Sequence, residues 1–148
     1  MFAGVGPFAI PAASRGASVV AVDLNETAID YCRKNARRNG VAEQVTAIAG
    51  DVRDVTDDYR GWADRLVMNL PHSANEFLAT AVALAGEECV LHYYDIQHED
   101  DPFGPGIAAI REAAEPDYAV SVETEHAVRS YAPHELNICL DVRLTTTE

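Results

Sequence analysis

The residues Gly4-Val5-Gly6-Pro7-Phe8-Ala9 match the pattern G-x-G-x-x-A. Glycines at these two positions permit a tight turn with positive φ and let a ligand come close to the backbone. Asp23 follows Gly4 by 19 residues, at the end of an apolar run. A carboxylate there can accept hydrogen bonds from both hydroxyls of a ribose. A glycine motif alone is often only a turn; Asp23 at this spacing points it toward a nucleotide.

Two chemistries share this arrangement, that of NAD-dependent oxidoreductases and that of enzymes using S-adenosylmethionine. Three features favour the second. Pro7 removes an N–H where a dinucleotide's pyrophosphate would need free donors at a helix start. Gly50-Asp51-Val52 closes another apolar run, and a carboxylate there can accept from an adenine amino group, although strand-end Asp residues also serve simple turns. Asn69-Leu70-Pro71-His72 closes a third. Pro71 stops a strand. The Asn69 amide, both donor and acceptor, can hold the edge of a flat heterocycle while Pro71 restricts its plane.

These residues require elements to carry them. Short β-branched runs alternate with helical patterns, as in a mostly parallel α/β sheet. Strands are predicted over 17–23, 44–51, 63–71 and 88–96. One helix starts at the cap Asn25, buries Ala28, Ile29, Cys32 and Ala36, and ends at Gly40. Others are predicted over 73–85, with Phe77 and Leu78 inward, and over 104–114. The runs 118–132 and 135–145, separated by Pro-His, form an antiparallel pair at the end of the sheet. Open sheets of this kind place ligands at the carboxyl ends of their strands, where the glycine loop, Asp23, Asp51 and Asn69 all fall.

The 148 residues suit a single domain with one core. The formal net charge is −13, and ten of the eleven basic residues are Arg, Lys34 being the other. One reading is a haloarchaeal surface whose carboxylates hold water and salt; an ordinary acidic cytosolic protein is the alternative. Acidity disfavours loose, non-specific binding to nucleic acid but leaves room for a local basic site. Arg33, Lys34, Arg37 and Arg38 gather at one helix end, where complementing the helix dipole is sufficient reason for them. Cys32, Cys89 and Cys139 are scattered, which excludes a disulfide framework or a zinc motif and fits a reducing cytoplasm. No segment reaches the ~20 apolar residues of a membrane helix. His92, within an apolar strand, reads as a satisfied histidine at the edge of the core. Neither His72 nor Tyr93 nor Tyr94 has a role that spacing alone assigns.

Together "MFAGVGPFAIPAA", "AVDLNETAIDYCRKNARRNG", "GDVRDV", "ADRLVMNLPHSANEFL", "LHYY" and "VRSYAPHELNICLDVRL" resemble, in order and over nearly the whole chain, the class I methyltransferase domain of the archaeal and eukaryotic tRNA (guanine-N1)-methyltransferases. Those enzymes modify the guanosine 3′ of the anticodon. The resemblance implies a Rossmann-like domain over residues 1–148, S-adenosylmethionine as cofactor and tRNA as partner, with no metal. It implies that Phe2, Gly4, Gly6, Asp23, Leu24, Asp51, Val52 and Asn69 hold the cofactor and that Asn69 and Pro71 face the target guanine. Family members carry, upstream of the glycine loop, a first strand, an Arg and a Glu associated with proton transfer, and an RNA-binding domain. The resemblance therefore implies a chain truncated at its N-terminus, without its general base and weak or inactive alone. Other readings are an aminocarboxypropyl transferase of wybutosine synthesis, an NAD-dependent oxidoreductase and a non-catalytic nucleotide-binding module.

Overall fold

A computed structural model describes residues 1–147. Its internal contacts divide the chain into two compact units, residues 1–55 and residues from Thr56 onward.

In the first unit a short helix α1 (Ala9–Ser14) leads to strand β1 (Val19–Asp23), helix α2 (Glu26–Arg38), a 3₁₀ turn (Ala42–Gln44) and strand β2 (Val45–Ala49). The strands pair in parallel, from Val19 opposite Val45 to Asp23 opposite Ala49. Parallel strands need a crossover, and α2 supplies it. The Asn25 side chain accepts from the Ala28 N–H at 3.2 Å, and Gly40, with φ +68°, ends the helix as its position predicts. Of the expected stripe, Ile29, Cys32 and Ala36 are buried, while Ala28 is half-buried. Small side chains dominate this core: Ala9, Ala21 and Cys32 form one cluster, and Ile10, Ala13, Ala36 and Val41 another. The helix α1 has no counterpart among the predicted elements, because six residues containing Pro11 are too few for a helical period to register.

A 3₁₀ segment (Val52–Tyr59) precedes strand β3 (Ala63–Met68), a 3₁₀ turn (Ala74–Phe77), helix α3 (Leu78–Leu84), strand β4 (Ala85–His98), helix α4 (Gly104–Ala114) and strands β5 (Tyr118–Ala132) and β6 (Glu135–Thr146). These four strands form one sheet in the order β3-β4-β6-β5. The first pair is parallel, and the other two are antiparallel. The mixed α/β architecture, parallel pairs closed by a terminal antiparallel pair, is the one expected.

Strand β6 shows why the sheet sits as it does. Ile138, Leu140, Val142 and Leu144 are all fully buried, while Cys139, Asp141 and Arg143 between them are not. A period of two assigns one face to a core. Tyr93 and Leu91 of β4 lie opposite Leu140 and Val142 and share that face. Helix α4 closes over it through Gly106, where a Cβ would stand 3.0 Å from Leu140 and 3.2 Å from Tyr93. Strand β4 starts three residues before the predicted 88. Gly86 makes this possible: a Cβ there would stand 3.2 Å from the Gly61 carbonyl oxygen. The Tyr118 hydroxyl donates to the Ala85 carbonyl at 2.9 Å, securing the same junction.

Candidate functional site

In the first unit the predicted glycine loop is a strained turn. Phe2, Gly4 and Gly6 have φ of +55°, +54° and +92°, the left-handed region that favours glycine. A Cβ on Gly6 would lie 3.0 Å from Cys32 Sγ and 3.1 Å from Ile10 Cγ1, whereas none of the surrounding atoms lies within 4 Å of one on Gly4. Gly6 is therefore demanded by packing as well as by φ, and Gly4 faces open space. The Ala3 N–H donates to the Val22 carbonyl at 2.8 Å, and Asn35 Nδ2 donates to the Val5 carbonyl at 2.9 Å. Both ends of the turn are thus tied to neighbouring elements.

Asp23 is the pivot of this end of the sheet. One carboxylate oxygen accepts the Gly4 N–H at 2.8 Å, the other accepts the Asn25 N–H at 2.8 Å, and its carbonyl accepts the Gly50 N–H at 2.9 Å. A carboxylate has about four acceptor positions, so two backbone bonds leave room for the two hydroxyls of a ribose. Beside it Leu24 is 73% exposed, an apolar surface suited to a flat ring. The open space over Gly4, the remaining acceptor capacity of Asp23 and the bare Leu24 side chain together fit an adenosine-bearing cofactor.

Asp51 and Val52 are placed less directly. Val52 is buried. The Asp51 carboxylate accepts from Arg53 Nε at 2.9 Å, Arg53 NH2 at 2.5 Å and the Arg53 N–H at 2.9 Å. These bonds hold its pKa down to about 2, so it is an ionised acceptor already turned toward a guanidinium. Arg53 carries no signal in the sequence beyond its place two residues after Asp51.

The second unit holds the Asn-Leu-Pro strand end. Asn69 is exposed just beyond β3. The Leu70 carbonyl accepts from the N–H groups of Ser73 (3.1 Å) and Ala74 (2.9 Å), and the Pro71 carbonyl accepts the Ile96 N–H at 3.2 Å. The loop is anchored through its backbone while the Asn69 amide stays outward. His92 is a satisfied histidine, as its strand context predicts: Nδ1 lies 2.5 Å from Asp141 and Nε2 lies 3.0 Å from Arg65. Tyr93 is fully buried. Burial pushes its pKa well above the usual range and the nearby Asp95 pushes it further, so it serves as a donor. Burial also raises Tyr94, to about 12.

In the basic cluster, Arg33 is committed to Asp30 and to the Ala47 carbonyl, and Lys34 lies over the Tyr31 ring. Arg37 and Arg38 occupy the last turn of α2, where the helix dipole favours them. Among the described residues no group of three or more His, Cys, Asp or Glu is placed to hold a metal, and no helix is long and apolar enough to cross a membrane.

A glycine turn locked to an acidic strand end, in a parallel α/β unit followed by a mixed sheet, defines a Rossmann-like domain of the methyltransferase type. Residues 1–123 match the TRM5/TYW2 methyltransferase domain, and the chain belongs to that family. It is 41% identical over 98% of its length to the tRNA (guanine(37)-N(1))-methyltransferase Trm5b of Pyrococcus abyssi, of which it spans 43%. The crystal structure of that relative superposes with a TM-score of 0.90. The M. jannaschii TYW2 structure, a complex with AdoMet, superposes with a TM-score of 0.93 at 29% identity, covering 99% of this chain and 67% of that one. A tRNA(Phe) (4-demethylwyosine(37)-C(7)) aminocarboxypropyltransferase of Pyrococcus horikoshii is 29% identical over 97% of the chain and 52% of its own length.

Proposed function

We propose that this chain is the catalytic portion of an S-adenosylmethionine-dependent tRNA methyltransferase acting on N1 of the guanine 3′ of the anticodon. One observation carries the choice among family activities: identity to the methyltransferase Trm5b is 41%, against 29% for the aminocarboxypropyltransferase. Backbone similarity leans the other way, 0.93 for TYW2 against 0.90 for Trm5b. Backbones this close do not separate two reactions on one cofactor, because a common fold hosts different chemistries and the site side chains choose between them. Aminocarboxypropyl transfer is the second reading.

Asp23 takes the ribose hydroxyls, Gly4 and Gly6 admit the amino-acid arm, Leu24 covers the adenine, and Asp51 and Val52 complete that wall. S-adenosylmethionine supplies a sulfonium-bound methyl group that a nucleophile can displace. Asn69 holds the edge of the guanine and Pro71 limits its tilt, so that N1 rather than another ring atom is presented. Neutral guanine carries a proton on N1, so a base must accept it as the new bond forms. None of the residues described takes that role by its geometry.

The acidic composition belongs to the same proposal, as the surface of a cytoplasmic protein from a halophilic archaeon. Thermal stability then rises as KCl is raised from low to molar concentration, because salt screens the repulsion among carboxylates.

Calorimetric titration with S-adenosylmethionine and with NAD tests the cofactor, and tighter binding of NAD overturns the proposal. Mass spectrometry of nucleosides from a treated tRNA transcript tests the reaction. The expected product is N1-methylguanosine; an aminocarboxypropyl adduct selects the second reading.

A further inference from the structure

A cavity of about 350 Å³ opens at the carboxyl end of the β3-β4 pair. Pro71, Ile96 and Pro105 contribute apolar walls, and Asp95, Gln97 and Glu135 contribute polar ones. The volume accommodates a nucleobase with part of its ribose. None of its lining residues is Lys or Arg, so it is not built for phosphate. Two carboxylates make it a site for hydrogen-bond donors.

Asp95 is held in one orientation. Its Oδ2 accepts from the Tyr93 hydroxyl at 3.1 Å and from Gln97 Nε2 at 2.8 Å, while Oδ1 accepts the Ile96 N–H at 2.8 Å. Three bonds leave acceptor capacity on Oδ1, and fixing Gln97 Nε2 on Asp95 leaves the Gln97 carbonyl oxygen available as well. This suits the exocyclic amino group of adenine, cytosine or guanine. At the rim His72, itself a lining residue, meets Tyr131 edge to face with centroids 5.2 Å apart, and Tyr131 Oη lies 3.0 Å from His72 Nε2. Tyr131 nevertheless remains 47% exposed. An exposed aromatic ring braced by a neighbour beside a donor-seeking cavity is how proteins hold an unstacked base: stacking on the ring, reading at the edge.

We propose that this cavity is a second nucleobase subsite, holding the nucleotide adjacent to the target guanine, with Tyr131 as its stacking surface and Asp95 as the reader of its amino group. The inference rests on the tRNA reading above. Pro71 connects the two, since the same loop carries Asn69 toward the target and lines this cavity.

The test uses anticodon stem-loop RNAs that are intact, abasic on one or the other side of the target guanine, or carrying an amino-less purine there. Binding to the chain is compared for the wild type, Tyr131→Ala and Asp95→Asn. One abasic position is expected to weaken wild-type binding roughly 5- to 150-fold, the range of a lost base–aromatic stack, with little further loss in Tyr131→Ala. The amino-less purine should cost the wild type roughly five-fold or more and cost Asp95→Asn nothing additional. S-adenosylmethionine affinity, which involves neither residue, should be unchanged in both variants.

Losses that simply multiply, or abasic RNAs that bind as well as intact RNA on both sides, overturn the inference. So does failure of the wild-type chain to bind the stem-loop while it still binds S-adenosylmethionine. Loss of S-adenosylmethionine binding in the wild type strikes instead at the proposed function, so the two failures are distinguishable.

Discussion

The glycine loop of the first unit, tied by hydrogen bonds to the end of β1, and the Asn69–Pro71 loop of the second, which follows β3, are organised in opposite ways. The first is specified by backbone conformation: positive φ at Gly4 and Gly6, and N–H groups drawn onto one carboxylate, Asp23. In the second the backbone is merely anchored, and the groups proposed to act are side chains, the Asn69 amide and the Pro71 ring. A loop that must touch a cofactor closely uses the main chain, because side chains would keep the ligand away. A loop that must recognise a base uses side chains, because only they offer a discriminating edge. The cores differ in parallel. The first unit's clusters are mostly Ala and Cys with Ile10 and Val41, whereas the second buries more large side chains, among them Leu91, Tyr93, Ile138, Leu140, Val142 and Leu144, so most stability should reside in the second.

The largest expected effect tests that division. Leu140→Ala, at a fully buried site under α4, should destabilise by about 3–4 kcal/mol in urea unfolding. Protection of second-unit amides from hydrogen exchange should fall first; equal loss in both units would contradict a separate core in each.

Next is Gly6→Ala, expected to cost about 2–3 kcal/mol, because strain at φ +92° adds to contact with Cys32 and Ile10. Gly4→Ala, with open space around its Cβ, should cost only about 1 kcal/mol while still weakening the cofactor. Equal thermal shifts for the two would refute the packing argument.

Asp23→Asn should cost about 1–2 kcal/mol by weakening two charge-assisted bonds to backbone N–H groups. It should also reduce S-adenosylmethionine affinity at least tenfold by calorimetry, whereas Asn69→Ala leaves that affinity within a few-fold and lowers kcat/KM roughly 100-fold. Reversal of that pattern would exchange the roles of the two loops.

The smallest effect concerns Arg53. Its contact depresses the Asp51 pKa from 3.8 to about 2, so the ion pair adds stability above pH ~4 that is lost as pH falls through 2. Arg53 is largely exposed, at 60% for its side chain, which limits the contribution to under about 1 kcal/mol. Arg53→Ala should lower stability by that amount at pH 7 and converge on the wild type as pH falls below about 2. A difference that stays at its pH 7 size through this range would mean Arg53 acts through packing.

Much of this was legible beforehand where short-range rules apply. Asn25 and Gly40 mark the ends of α2 because capping and positive φ depend on single residues. The β5-β6 pair was legible because period-two burial and a turn are local patterns. Less legible were the start of β4, decided by the close approach of Gly86 to Gly61, and the partner of Asp51, which depends on the rotamer of Arg53. Asp95, Gln97 and Tyr131 carried no sequence signal as a group. Tyr131 lies 59 residues from His72, and only strand pairing brings them together.

The sequence by itself determined the alternation of strands and helices, the glycine turn with its acidic partner, and membership in a methyltransferase family. All of these are written in residue types at short, regular spacing. The tertiary structure alone decided the order β3-β4-β6-β5, the engagement of Asp23 by two backbone N–H groups, and the cavity beside Pro71. The reason is physical: hydrogen bonding and packing act between atoms that the fold makes neighbours, and a chain's linear order does not record those distances.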